Sequence, residues 1–184
     1  MKNTPTKILS YNAIRVRKMI EQNQRSTEFL NLTDTLMEKP EHIAGLVDLV
    51  VSDDIYPYPQ YASHLLLHVS WKNHLLLEPH YNMLIDCILI TKNTSIMRNI
   101  LGVVISFQIN EYKEGELLDW LFANINNADS KPGLLSYSVR KLAQYIKLYP
   151  ELRNEVEMAI ELREELSLST GLVAWSKTVL NKPY

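Results

Sequence analysis

A short pattern of apolar and acidic positions recurs along the chain. Two apolar residues, an Asp, any residue and a further apolar residue occur at Leu46–Val50, Leu84–Ile88 and Leu117–Leu121. The acids of these copies are 38 and 33 residues apart, and a looser copy follows 38 residues later at Val156–Ile160. Self-similarity at this period is typical of stacked helical hairpins. The pattern therefore predicts a helical array rather than a globular core built around a pocket.

The spacing of apolar residues, prolines and capping residues predicts successive helices. Five apolar residues between Leu135 and Ile146 form one stripe along a helix face. Pro40 fits a first helical turn, where its missing N–H would be unpaired anyway, and Asn93 or Thr94 is expected to cap a helix. The predicted helices are Ile8–Gln22, Ser26–Glu38, Glu41–Val51, Gln60–Lys72, Pro79–Thr91, Ser95–Phe107, Glu114–Asn126, Leu134–Leu148, Pro150–Leu166 and one that Ser169 or Thr170 caps and that ends at Leu180.

The first helices of successive pairs also resemble one another. The segments Leu67–Val69, Leu101–Val103 and Leu142–Gln144 recur at offsets of 34 and 41 residues. Helix pairs of this length and spacing, with acidic second helices, resemble HEAT repeats and the related armadillo-like arrays. The resemblance implies an all-α, right-handed α–α superhelix of about four antiparallel hairpins, which binds a partner along its inner surface.

This interpretation predicts one helical-repeat domain over residues 1–184. End repeats lack a neighbour that would cover their apolar face, so capping helices are expected at both ends. We expect the N-terminal cap at residues 1–39, the hairpin repeats at 40–168 and the C-terminal cap at 169–184.

Composition and charge narrow the classes of function. Apolar residues make up 46% of the chain and there are only 5 glycines, which fits an all-helical protein. The net charge of −2 argues against a nucleic-acid partner, because phosphate binding relies on clustered Lys and Arg. The single cysteine, Cys87, fits a reducing compartment. With no signal sequence and no apolar run near the ~20 residues that span a bilayer, we expect a cytoplasmic protein without a membrane partner.

Four acids at equivalent repeat positions form the first candidate binding surface. We call Asp48, Asp86, Asp119 and Glu157 the acidic series. Stacked repeats would place these side chains along one edge, about 10 Å apart. Such an edge complements a basic face of a protein or peptide partner. The alternative is that each acid is merely solvated or caps a neighbouring loop.

A tyrosine–proline segment is the second candidate binding surface. Tyr56, Tyr58 and Tyr61 surround two prolines and are predicted to lie on a stiff, exposed loop. Stiff aromatic side chains are good anchors because they lose little entropy and bury a large area on binding. The alternative is that the tyrosines cover an open end of the helical stack.

Two histidines are the candidates for metal ligands. His64 and His68 are four residues apart, so both rings project from one helix face, a spacing compatible with zinc. The sequence fixes no third ligand, and His64 flanks an apolar run, which suggests rings packed at the margin of a core. We therefore expect neither a metal nor another cofactor.

The sequence carries no phosphate-binding loop, serine-nucleophile motif or cofactor fingerprint. It therefore favours a non-catalytic scaffold that binds a protein or peptide partner. The alternative is a HEAT-like DNA-binding or alkylation-repair protein, with Trp120 and Trp175 stacking on a lesion and Asp119 as the catalytic acid. DNA binding could use a cluster of basic residues. We predict instead that this cluster, Arg140, Lys141 and Lys147, is an ordinary solvated face.

Overall fold

Every regular element in the part of the chain that the structure describes is helical. The computed structural model describes residues 9–25, 29–52, 56–165 and 170–181. Short 3₁₀ segments occur at Phe29–Asn31, His74–His80 and Pro150–Leu152. The α-helices are α1 (Tyr11–Asn23), α2 (Leu32–Met37), α3 (Pro40–Val50), α4 (Tyr58–Asn73), α5 (Tyr81–Ile90), α6 (Thr94–Val104), α7 (Glu114–Asn126), α8 (Pro132–Leu148), α9 (Arg153–Glu165) and α10 (Thr170–Asn181). None of the helices in these ranges is long and apolar enough to cross a membrane.

Helix ends follow local capping chemistry. The Asn93 side chain accepts hydrogen bonds from the backbone N–H groups of Ser95 and Ile96, at 3.0 and 3.2 Å, and so caps α6 as predicted. Pro40 occupies the first turn of α3, also as predicted. Pro79 differs from the prediction, because it lies inside a 3₁₀ segment and α5 begins two residues later. The predicted helix ends at Ile8, Ser26 and Leu166 and the predicted cap Ser169 lie outside the described residues.

The chain divides into two compact units, and the first covers Met1–Phe107. In this unit α1 packs against α3, α3 against α4, and both α4 and α5 against α6. Each of these helices contributes fully buried aliphatic side chains, among them Val16, Ile20, Leu46, Leu49, Leu65, Leu66, Ile85 and Ile100. The apolar positions of the repeated pattern are therefore core positions, and the acids stand beside them.

Gly45 permits the close approach of α1 to α3. A Cβ atom at this position would lie 2.6 Å from the backbone oxygen of Asn12 and 2.7 Å from its carbonyl carbon. Both separations are shorter than van der Waals contact, and the obstructing atoms belong to the backbone of α1. Because that backbone cannot rotate away as a side chain can, only glycine fits here.

We predict that Gly45→Ala destabilises the protein by about 1–3 kcal/mol, because the added methyl group forces α1 away from α3. The matched control is Gly115→Ala in α7, where a Cβ atom would meet nothing within 4 Å. There the better helix propensity of alanine should raise stability by about 0.5 kcal/mol. Urea unfolding measures both changes. A Gly45→Ala protein as stable as the unmodified chain would contradict this packing.

The second unit covers Gln108–Tyr184. In its described residues α8 packs against α7, α9 and α10, and α9 also contacts α7 and α10. Arg163 of α9 is almost fully buried, and its Nε donates to the carbonyl oxygen of Ile125 at 2.6 Å. Its Nη2 donates to the carbonyl oxygens of Asn124 and Asn127. These carbonyls stand at the end of α7 and have no partner within that helix, so Arg163 ties the two helices together.

Lys141 corrects the prediction of a solvated basic face on α8. The side chain is fully buried, and its Nζ donates to Gln144 Oε1 at 2.9 Å. The ammonium group lies 5.9 Å from the centre of the Tyr145 ring. Burial lowers the pKa of Lys141 from 10.5 to about 8. The prediction failed because α8 has three neighbouring helices, which cover more of its surface than the single apolar stripe indicates.

Candidate functional site: a groove in the first unit

A groove of about 680 Å³ opens in the first unit, where several helix ends meet. The end of α3, the start of α4, one side of α5 from Met83 to Ile90 and the start of α6 form its walls. A proline in the first turn of α4 and the Asn93 cap of α6 fix where these two helices begin. The wall residues used below are Tyr56, Gln60, Met83, Asp86, Cys87 and Ile90.

Large apolar side chains stand exposed along this groove. Tyr56 is 77% exposed, Ile90 is 76% exposed and Met83 is 40% exposed. All three belong to the wall of the same groove. Exposed apolar side chains scattered singly are common, but a group of them around one concavity is typical of an interaction site.

Polar groups in the groove wall can form hydrogen bonds or ion pairs with a ligand. Asp86 contributes a half-buried carboxylate from α5, and Lys92 contributes an ammonium group. The Oε1 atom of Gln60 is buried and accepts no hydrogen bond from any described residue. A buried acceptor without a donor is costly, so a ligand that brings an N–H group to it gains free energy.

Cys87 also lies in the wall, but its thiol is poorly suited to catalysis. The residue is buried, and burial raises the pKa of the thiol to about 11. Because the thiolate is the nucleophilic form, the neutral thiol at pH 7 is unreactive. The groove can therefore bind through shape, apolar contact and hydrogen bonds.

The acidic series meets four different environments. In the first unit, Asp48 Oδ2 accepts a hydrogen bond from the backbone N–H of Ser10 at 3.1 Å, just before α1 begins. This is the loop-capping role that was the alternative. Asp86 lies in the groove wall. In the second unit, Asp119 is exposed on α7, whereas Glu157 forms an ion pair with Arg153 of 3.1 Å. Of these carboxylates, only that of Asp86 belongs to the groove.

The tyrosine segment is shorter than predicted, because α4 begins at Tyr58. The predicted loop is therefore wrong for Tyr58, which is a half-buried residue of the helix, whereas Tyr61 lies in the helix predicted from Gln60 and is also half-buried. The Arg17 guanidinium lies 4.4 Å from the centre of the Tyr58 ring, and the Phe29 and Tyr61 rings are 5.4 Å apart. Tyr56 remains outside the helix and reaches the groove.

Met83 and Ile90 are groove residues that the sequence analysis did not single out. Both lie on α5 beside the repeated segment Leu84–Ile88, whose first two residues are fully buried. The sequence showed only that these two residues are apolar and flank a helix stripe that already has its buried apolar residues. Such residues are too common in helices to identify a site without the groove around them.

The two histidines lie on α4 as predicted, and both are half-buried. Their Nε2 atoms are 3.2 Å apart, and the His68 ring packs edge-on against Trp71 with the ring centres 4.5 Å apart. Among the described residues, no group of three His, Cys, Asp or Glu side chains could hold a metal ion.

The aromatic residues of the DNA-binding alternative lie in the second unit. The Arg140 guanidinium lies 5.3 Å from the centre of the Trp175 ring and 6.0 Å from that of Tyr137. This arginine therefore takes up aromatic surface that base stacking would need. Trp120 is half-buried on α7.

A family model described as a HEAT repeat domain matches residues 16–183. No curated protein and no solved structure matches the chain at a significant level. The match extends over nearly the whole chain and agrees with the helices of the described residues. The predicted fold class, all-α with stacked helical hairpins, is thereby confirmed. The chain belongs to the HEAT repeat domain family.

Proposed function

We propose that this HEAT-repeat protein is a non-catalytic scaffold that binds a segment of a protein partner in the groove of the first unit. One observation carries the proposal: the exposed side chains of Tyr56, Met83 and Ile90 line the same concavity as Asp86. HEAT repeats commonly mediate protein interactions, and membership of the family supports this class of function.

The walls define the chemistry of the partner segment. Tyr56 and Ile90 offer apolar surface to an aliphatic or aromatic side chain, and a volume of about 680 Å³ accommodates a few such groups. The Asp86 carboxylate attracts a Lys or Arg of the segment, and Gln60 Oε1 accepts from one of its N–H groups. We therefore expect a short peptide segment that combines one basic and one apolar side chain.

The other predicted contacts remain secondary proposals. Asp119 is a candidate for an additional contact on the second unit, since its side chain is exposed. Asp48, Tyr58 and Tyr61 do not line the groove, so we assign them no leading part. The cytoplasmic location and the single repeat domain over residues 1–184 also stay predictions. No observation favours the DNA-repair alternative.

Affinity capture tests the proposal. The tagged full chain and a Tyr56→Ala, Asp86→Lys variant are incubated with native lysate, with and without nuclease, at low and moderate salt. We expect a protein partner that survives nuclease and that the variant binds at least about thirty-fold more weakly, as for loss of an anchor worth about 2 kcal/mol.

The matched control for this capture is Tyr11→Ala, Asp129→Lys, which changes an equally exposed tyrosine and an exposed acid outside the groove. The control variant should retain the partner. Equal retention by both variants would contradict a role for the groove. Recovery of nucleic acid alone, lost with nuclease, would instead favour the DNA-binding alternative.

A further inference from the structure

Two histidine rings on α4 form a pair with converging nitrogen atoms. His64 and His68 are one turn apart, their Nε2 atoms are 3.2 Å apart, and the ring planes meet at 76°. With both imidazoles neutral, one Nε2–H donates to the other Nε2. Neither ring belongs to the groove wall, so the pair is independent of the proposed function.

The separation of the two nitrogens matches the bite of a metal chelate. Bonds from imidazole nitrogen to zinc measure about 2.0–2.1 Å. Two such bonds that end on nitrogens 3.2 Å apart enclose an angle of about 100° at the ion. This angle lies between those of square-planar and tetrahedral coordination. The separation of the two nitrogens is therefore compatible with both rings binding one ion.

The protonation state of the pair also suits a metal. Burial lowers the pKa of both rings. The charge of Arg98 lowers the pKa of His64 further, and the charges of His64 and Lys72 lower that of His68 further. A lowered pKa favours the neutral imidazole, which is the form that binds a metal ion. Binding needs only a tautomeric shift that moves the shared proton to Nδ1 of its own ring, so no proton is released.

The same positive charges oppose an approaching cation, but each is partly engaged. Lys72 Nζ donates to Asp34 Oδ1 at 2.6 Å. Arg98 donates to Asn99 Oδ1 through Nε and Nη2, at 3.3 and 3.1 Å. The Asp34 carboxylate partly offsets the charge of Lys72 and so reduces its repulsion of a metal ion.

We propose that His64 and His68 form a two-histidine chelating site for a divalent transition-metal ion, with Cu²⁺ bound most tightly and Zn²⁺ less so. Imidazole ligands suit both ions, and divalent ions of this series bind such ligands most strongly at copper. Since the described residues supply no third side-chain ligand, water or a ligand from another molecule completes the coordination.

Trp71 is a reporter built into this site. It is 60% exposed, and its ring centre lies 4.5 Å from that of His68. Bound Cu²⁺ is paramagnetic and quenches the fluorescence of a nearby indole. In a titration of the full chain with copper chloride at about pH 7.5, we expect saturable quenching with one ion per chain. Trp71→Phe should remove most of this signal.

Matched histidine variants decide whether the pair is the site. His64→Gln and His68→Gln should each weaken Cu²⁺ binding at least about ten-fold, because the second ligand no longer acts within one chelate. His74→Gln, on an exposed histidine that packs against Phe107, should bind as the unmodified chain does. Binding should weaken as the pH falls, because protons compete with the metal ion for the same nitrogens.

A second measurement guards against variants that fold poorly. Zn²⁺ should raise the thermal midpoint of the unmodified chain and of His74→Gln, but not that of His64→Gln. Far-UV circular dichroism checks that all variants are equally helical. Quenching that does not saturate, or that is equal in the His64→Gln, His68→Gln and His74→Gln proteins, would overturn the proposal.

Discussion

Replacement of Leu142 by Asp is expected to unfold the second unit of the protein. Leu142 is fully buried on α8, in line with Val139 and Ile146. Removal of a leucine side chain from a core alone costs about 2–5 kcal/mol, and the variant would also bury a carboxylate in an apolar stripe. Since folded domains are stable by only about 5–15 kcal/mol, a loss of this size leaves little native structure.

Thermal unfolding followed by far-UV circular dichroism measures the effect of Leu142→Asp. The matched control is Met158→Asp on α9, where the native side chain is 62% exposed. We expect the control to change stability by no more than about 0.5 kcal/mol. An unchanged melting curve for Leu142→Asp would mean that the buried face of α8 is wrongly assigned.

Replacement of Lys141 by Met is expected to stabilise the protein at pH 7. Burial lowers the pKa of this amine from 10.5 to about 8, so folding at neutral pH buries a charge that the unfolded chain keeps solvated. One pKa unit corresponds to about 1.4 kcal/mol, which puts the penalty at about 3 kcal/mol. Met has a similar length and no charge. The loss of the Gln144 hydrogen bond offsets part of the gain.

The change of the protein's stability with pH provides a further test of this prediction. Between pH 8 and pH 10.5 the unfolded chain binds more protons at Lys141 than the folded chain does. Stability of the unmodified protein therefore rises through this window, and the full penalty is present below it.

Urea unfolding of the two proteins across this range isolates the lysine, because all other titrating groups are shared. The advantage of Lys141→Met should shrink as the pH rises. Lys147→Met, at an exposed position of the same helix, should show no advantage. A difference that stays constant with pH would contradict a buried, charged Lys141.

Much of the fold follows from local sequence signals. Helix α7 was predicted with both ends correct, and α8 was predicted to within two residues, because apolar spacing and flanking turn residues agree there. The error at Tyr58 has a clear cause. Prolines break the interior of a helix but are tolerated in its first turn, so Pro59 belongs to the start of α4 and not to a longer loop.

The site was less predictable, because it depends on contacts between distant segments. The repeat spacing made Asp48 and Asp86 equivalent candidates for partner binding. In the structure their surroundings differ. Ser10, 38 residues before Asp48, donates its backbone N–H to the Asp48 carboxylate, whereas helix ends form a groove at Asp86. Tyr56 was singled out for its rigidity, but its proximity to Met83 and Ile90 requires the packed helices.

Site-specific photo-crosslinking is the most direct test of the groove as the partner site. A benzophenone amino acid replaces Tyr56 in one version of the full chain, and Tyr11, of nearly equal exposure, in the other. We predict a crosslinked protein partner from position 56 only, lost when Asp86→Lys is added. Equal crosslinking from both positions, or crosslinking from position 11 alone, would contradict the account.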